Sequence, residues 1–169
     1  MRAAAVLLVA VTPLGASAAP VALAEGDRSQ ILGIAQRYLQ NRAQKVTTGP
    51  QEPGFGVPVT AALARKLEVH EAKLDAARAS AGTRYRAAVV ETRSERFHVD
   101  QAGRTVVASL YEHTELHLAE PHAGPSTGYG LPHLLTFDRA GEGWVLADVA
   151  LGHYKHCALL PETQRPSEC

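Results

Sequence analysis

His113-Thr114-Glu115-Leu116-His117 has the most chemical character of any string in this chain. Imidazole and carboxylate groups hold metals and move protons near neutral pH. On a strand, alternate residues share a face, so His113, Glu115 and His117 point the same way. Zinc takes such ligands at about 2.0–2.2 Å. At a rise of about 3.4 Å per residue the two histidines start roughly 13 Å apart, so one ion cannot take both. A His113–Glu115 pair completed from another strand is the metal arrangement that the spacing allows. The opposite face carries Val106, Ala108, Leu110, Leu116 and Leu118 and reads as the core side. The favoured reading is therefore a solvated outer face of His, Glu and Tyr, with a cavity-facing catalytic set as the remaining alternative.

His153-Tyr154-Lys155-His156-Cys157 offers a second arrangement, since His153 and Cys157 are i, i+4 on a helix. A thiolate ligand would have to forgo a disulfide, so the plainer reading is a tail packed on the sheet. His133, Asp148, Tyr85 and Tyr129 are the candidates for general acid–base work inside a fold. No spacing brings any two of them together, and ordinary hydrogen-bonded polar residues remain the simpler account. Arg84, Arg86, Arg93 and Arg96 put positive charge on one segment. Arg84, Arg86 and Arg96 share a face unless a bulge intervenes, and Glu112 and Glu115 nearby suggest cross-strand ion pairs. The chain has no GxSxG elbow, P-loop, GxGxxG or HExxH, so those chemistries have no support, and no cofactor is called for.

The elements that must position these groups are legible in outline. Arg28 to Gln44 has helical spacing at Ile31, Ile34, Ala35, Tyr38, Leu39 and Arg42, with Asp27 or Ser29 to cap its start. Val46 to Pro58 holds six Gly or Pro residues (Gly49, Pro50, Pro53, Gly54, Gly56, Pro58) and is a connector. Thr60 to Ala79 is a second helix, with the stripe Leu63, Leu67, His70, Leu74 and Ala77, Thr60 as N-cap and Gly82 as a left-handed stop. Thr83 to Asp100 and Arg104 to Ala119 then read as long strands. Glu120 to Gly130 is a loop, and Leu131 to Arg139 and Trp144 to Leu151 form a second hairpin. The expected class is α+β: a curved antiparallel sheet of about four strands with two N-terminal helices on its concave face.

Seventeen basic residues balance seventeen acidic ones, which excludes a polybasic chain held on nucleic acid or anionic lipid by bulk charge. A hydrophobic fraction of 46% supports a core and argues against disorder. No run after the N-terminus nears the roughly 20 apolar residues of a membrane span. Residues 1–18 read as an export signal: Arg2, the apolar stretch Ala3 to Val11, the breakers Pro13 and Gly15, then Ala16-Ser17-Ala18. Cleavage after Ala18 or Ala19 is preferred, with Ala24 as an alternative, and the mature chain is expected outside the cell. The cysteines, Cys157 and Cys169, both fall in the tail 152–169. In an oxidising compartment they are expected to bond and close a short ring, contributing roughly 3 kcal/mol at best.

The order of elements resembles the NTF2-like (SnoaL-like) cone, in which helices close the mouth of a strongly bent sheet. Arg104 to His117 is similar to that fold's long central strand. Thr136-Phe137-Asp138-Arg139 followed by Gly143-Trp144-Val145-Leu146 resembles its closing hairpin. Tyr38 to Ala43, Tyr111 to His117 and Gly128-Tyr129-Gly130 before His133 look like secreted actinobacterial proteins in which such a domain precedes a papain-like amidase domain. The likeness covers residues 28–151, and a cysteine nucleophile of that further domain has no counterpart here. In proteins of that fold the exposed face of the sheet often pairs, so the resemblance implies that a homodimer through this face is open to the chain. Fold alone does not name a function.

Two expectations follow. The first is a secreted, non-catalytic domain that binds a small molecule or serves a protein partner. The second is a small cavity enzyme using acid–base residues on a hydrophobic molecule. An open apolar pocket with at least two converging polar groups would favour the enzyme. Trp144 is expected to be core, packed on Leu63, Leu67 and Leu74 or on Ile31, Ile34 and Tyr38, with its N–H paired.

Overall fold

Apolar periodicity places the first helix, but its start lies three residues upstream of Arg28, where the sequence pattern begins it. The computed structural model describes residues 22–120 and 124–152, apart from the side chains of Ser94 and Glu95. Helix α1 spans Glu25–Gln44 and buries Ile31, Ile34, Ala35, Tyr38, Leu39 and Ala43. Its N-cap is Ala24, which offers no side-chain bond, so neither Asp27 nor Ser29 is the cap. Asp27 sits instead in the first turn, where a carboxylate suits the positive helix end, and its oxygens are taken by other partners. Helix α2 spans Ala61–Ser80 and buries only Leu63 and Leu67. Thr60 caps it by accepting the Leu63 N–H at 3.3 Å. Its far end is Ala81 in an extended conformation rather than a left-handed Gly82, and the Ser80 hydroxyl donates back to the Ala76 and Ala77 carbonyls.

Four strands follow: β1 (Tyr85–Val99), β2 (Thr105–Leu118), β3 (Ser126–Ala140) and β4 (Gly143–Leu151). They form one open antiparallel sheet in the order β1-β2-β3-β4. Gly103 and Gly141 carry positive φ in the β1–β2 and β3–β4 turns, where a side chain would be strained. The class is α+β, with the helices contributing to one core. No described helix is long and apolar enough to cross a membrane.

Strand β3 begins at Ser126, so Ser126–Gly130 is paired strand and not loop. The physical reason is the length of β2. Its residues His113 to His117 supply partners for Gly130 back to Ser126, and backbone pairing overrides the glycine content. The exposed Tyr111 ring lies across Gly130, and a Cβ there would come within 2.2 Å of the Tyr111 hydroxyl, so a larger residue requires that ring to move. Bulges fall between Tyr85 and Ala87 and between Ser94 and Arg96. They break the alternation that would have put Arg84, Arg86 and Arg96 on one face.

Each outer edge of the sheet finds partners over part of its length. Gln36, Gln40 and Gln44 recur every four residues on α1. Gln36 donates to the Val90 carbonyl at 2.7 Å, and Gln40 both donates to Ala88 O (2.8 Å) and accepts the Val90 N–H (3.0 Å). Gln44 adds a bond to Ala88 O at 3.2 Å. These amides satisfy β1 where a neighbouring strand is missing. At the other edge, the Leu146 N–H donates to Pro58 O and its carbonyl accepts from Thr60 N.

The core is built from Ile31, Leu39, Leu63, Leu110, Leu135, Phe137, Trp144 and Leu146, all essentially without exposure. Trp144 is 2% exposed and its Nε1–H donates to Asp27 Oδ1 at 2.9 Å. Arg139 stacks over its ring at 4.4 Å and bonds the other Asp27 oxygen at 2.5 Å.

Candidate functional site

The inner face of β2 continues through positions 112 and 114. Glu112 and Thr114 are both fully buried, between the buried apolar residues Leu110 and Leu116. The β2–β3 register sets Leu110 opposite His133 and Glu112 opposite Leu131. His133 is thus the diagonal neighbour of Glu112 on the same face. Arg42 comes down from the last turn of α1, part-buried beside the stripe of Tyr38, Leu39 and Ala43.

These residues converge on one carboxylate. Glu112 Oε2 accepts from Arg42 Nη2 at 2.6 Å and lies 2.5 Å from His133 Nε2. An ionised carboxylate only accepts, so His133 donates here. The Thr114 hydroxyl donates to Oε1. Burial alone would raise the Glu112 carboxyl. The His133 hydrogen bond, the Arg42 and His133 charges and the Thr114 hydroxyl outweigh it and hold the group below its ordinary value. Tyr129 and Tyr38 flank the set. Burial pushes both phenols up, Tyr38 to about 12, with Arg42 opposing and Glu112 reinforcing the shift. Arg42 Nε is buried and has no partner among the described residues.

Of the four acid–base candidates, only His133 and Tyr129 belong to this cluster. Asp148 is half-exposed and pairs with the exposed Lys66 at 3.0 Å, so it is not an acid–base partner of His133. Tyr85 is at the start of β1, where its carbonyl accepts the Thr48 N–H. His113 is exposed on the outer face between Glu91 and Gly130, and half-buried Glu115 lies between Val89 and Gly128. Among the described residues no three His, Cys, Asp or Glu side chains gather as a metal site. Glu112 does not pair with the β1 arginines. It faces the core, and its ion-pair partner is Arg42. His153, Cys157 and Cys169 lie outside the described residues, as does the segment 1–18.

Two clefts lie away from the cluster. One, of about 370 Å³, lies between Thr47–Gln51, Arg78 and Arg84. The other, of about 360 Å³, has Phe55, Val57, Val59 and Leu67 in its walls, with Glu68 and Glu71 beside them. Glu71 is already engaged by buried Lys45 and by the Gly54 N–H.

No family model matches the chain, and no curated protein matches it. Two solved structures are similar in fold. The intermembrane space region of the chloroplast protein ARC6 is 10% identical, with a TM-score of 0.48, over 74% of this chain and 95% of that one. The Kfla4162 protein from Kribbella flavida is 17% identical, also at 0.48, over 75% of this chain and 90% of that one.

Proposed function

We propose that this chain is an exported, non-catalytic binding domain of the NTF2-like cone type, which takes a small-molecule ligand or serves a protein partner. The observation that carries this reading is the closure of Glu112. Both of its oxygens are occupied by protein donors, it has no exposure, and it lines neither of the two clefts described above. A general acid or base must come within hydrogen-bond reach of the proton it moves. Here Arg42, His133 and Thr114 already fill that reach, and the cluster ties α1 to β2 and β3.

The cavity-enzyme reading draws on the same convergence of His133, Glu112 and Tyr129 and requires an opening to them. Diethyl pyrocarbonate footprinting separates the two. Exposed His98 and His113 are expected to be modified in the folded protein while His133 resists until unfolding. Modification of His133 at the rate of His113 would favour the enzyme.

Export rests on the pattern of residues 1–18, and mass analysis of secreted protein is expected to show a new start near Ala19 or Pro20. Pairing through the outer sheet face is supported by exposed Val89, Tyr111 and Leu134 on that face. A change of mass with concentration in sedimentation equilibrium would detect it.

A further inference from the structure

We infer that the cleft between the α1–α2 connector, the last turn of α2 and the entry to β1 binds an oxyanion, a carboxylate or phosphate group carried by a small ligand. The inference deepens the binding reading above by naming a ligand class, and it rests on that reading only for its biological use.

The cleft measures about 370 Å³, within the range of small-molecule sites. Thr47, Thr48, Gly49, Arg78, Thr83 and Arg84 are in its walls, and no acidic residue is. In a chain whose basic and acidic residues balance, two guanidinium groups without a lining carboxylate are a local excess of positive charge. Arg84 makes no side-chain hydrogen bond or ion pair among the described residues, and the Gly49 N–H is likewise unbonded there. Arg78 has one acidic partner, Asp75, at 3.0 Å. That pair is i, i+3 and part-exposed, so it binds Arg78 weakly.

The two helix C-termini nearby would ordinarily oppose an anion, because their unpaired carbonyls carry partial negative charge. In this fold several of those carbonyls are taken. Gln51 Nε2 binds the Gln44, Thr47 and Gly49 carbonyls, and Arg78 Nη1 reaches Lys45 O at 3.4 Å. At the end of α2 the Ser80 hydroxyl takes the Ala76 and Ala77 carbonyls. The donors left in the cleft walls are the Arg84 fork, unpaired among the described residues, and the exposed Thr48 and Thr83, with Gly49 beside them; the Thr47 hydroxyl is spent on Gln44 O, and Arg78 is shared between Lys45 O and Asp75. A guanidinium fork matches the two oxygens of a carboxylate or phosphate.

The test is an amide NMR titration of the folded protein with inorganic phosphate and, separately, with N-acetylglycine, each against sodium chloride at matched ionic strength. Saturable shifts at Thr48, Gly49, Thr83 and Arg84 with either probe support the site, and the stronger probe tells a phosphoryl ligand from a carboxylate. Arg84→Gln, at an exposed position, is expected to weaken binding roughly tenfold, the loss of one charge-assisted contact. Shifts that chloride reproduces, absence of shifts with both probes, or unchanged affinity in Arg84→Gln would overturn the inference. None of those results touches the closure of Glu112, which footprinting of His133 tests separately.

Discussion

His133 Nε2 and Glu112 Oε2 lie 2.5 Å apart across 21 residues of sequence, and neither residue has meaningful contact with solvent. Arg42 completes the set from a helix 70 residues away from Glu112. A helix, a central strand and its neighbour are thereby fixed to one another through a single carboxylate. Each expected outcome below follows from this arrangement or from the contacts that support it.

Stability is expected to fall with acid in two stages. His70 is lowered from its ordinary value of 6.5, first by burial and then by the charges of Arg42 and Lys73. The unfolded chain therefore takes up that proton first, and stability declines from about pH 6.5 down to the folded pKa of His70. Glu112 is lowered as well, so its contribution is complete above about pH 4.5 and is lost as pH falls through its folded pKa. Urea midpoints measured against pH should show both legs, and His70→Gln should remove the first alone. A flat profile down to pH 5 in the parent protein would contradict the His70 assignment.

Trp144→Ala is expected to cost about 3–5 kcal/mol, the usual range for deleting a buried Trp. The melting temperature should drop by about 2–4 °C for each kcal/mol lost. Trp144 is the only tryptophan, so native fluorescence reports this site directly. Asp27→Asn should shift that emission, because Asp27 holds the indole N–H. An unchanged melting temperature in Trp144→Ala would show the indole to be outside the core.

Gln40→Ala should expose the β1 edge. It removes the Gln40 partner of the Val90 N–H and one of the two amides on the Ala88 carbonyl, which keeps Gln44, and so opens part of the strand edge to pairing with another chain. Light scattering on heating is expected to rise earlier than in the parent protein, with a stability loss of roughly 1–2 kcal/mol. Scattering equal to that of the parent would mean the glutamine ladder is dispensable.

Much of this was within reach of the sequence, and the reason for each miss is specific. Periodicity placed the α1 stripe, and Thr60 announced the cap of α2. Glu112 and Thr114 share the parity of Val106, Ala108, Leu110 and Leu116, so strand alternation already put them inside. The charge of Glu112 suggested a surface pair instead, because burying a carboxylate is costly unless it is paired. Its partners could not be read locally. Arg42 arrives through the packing of α1, and His133 through a β2–β3 register that reaches back to Ser126. The glutamine spacing 36, 40, 44 was visible too, but nothing local says that a helix face will serve a strand edge.

The proposed reading makes the Glu112 cluster a structural tie rather than a catalytic set. Unfolding of Glu112→Gln in urea near neutral pH tests it most directly. A structural role predicts a loss toward the lower end of about 3–5 kcal/mol, since the part-buried Arg42 would be left beside a neutral amide. The double replacement Glu112→Gln with Arg42→Met should recover part of that loss. Catalytic groups are commonly held at a cost to stability, so neutralising one leaves a protein as stable or more so. A Glu112→Gln variant at least as stable as the parent would contradict the claim and return His133 and Glu112 to the enzyme reading.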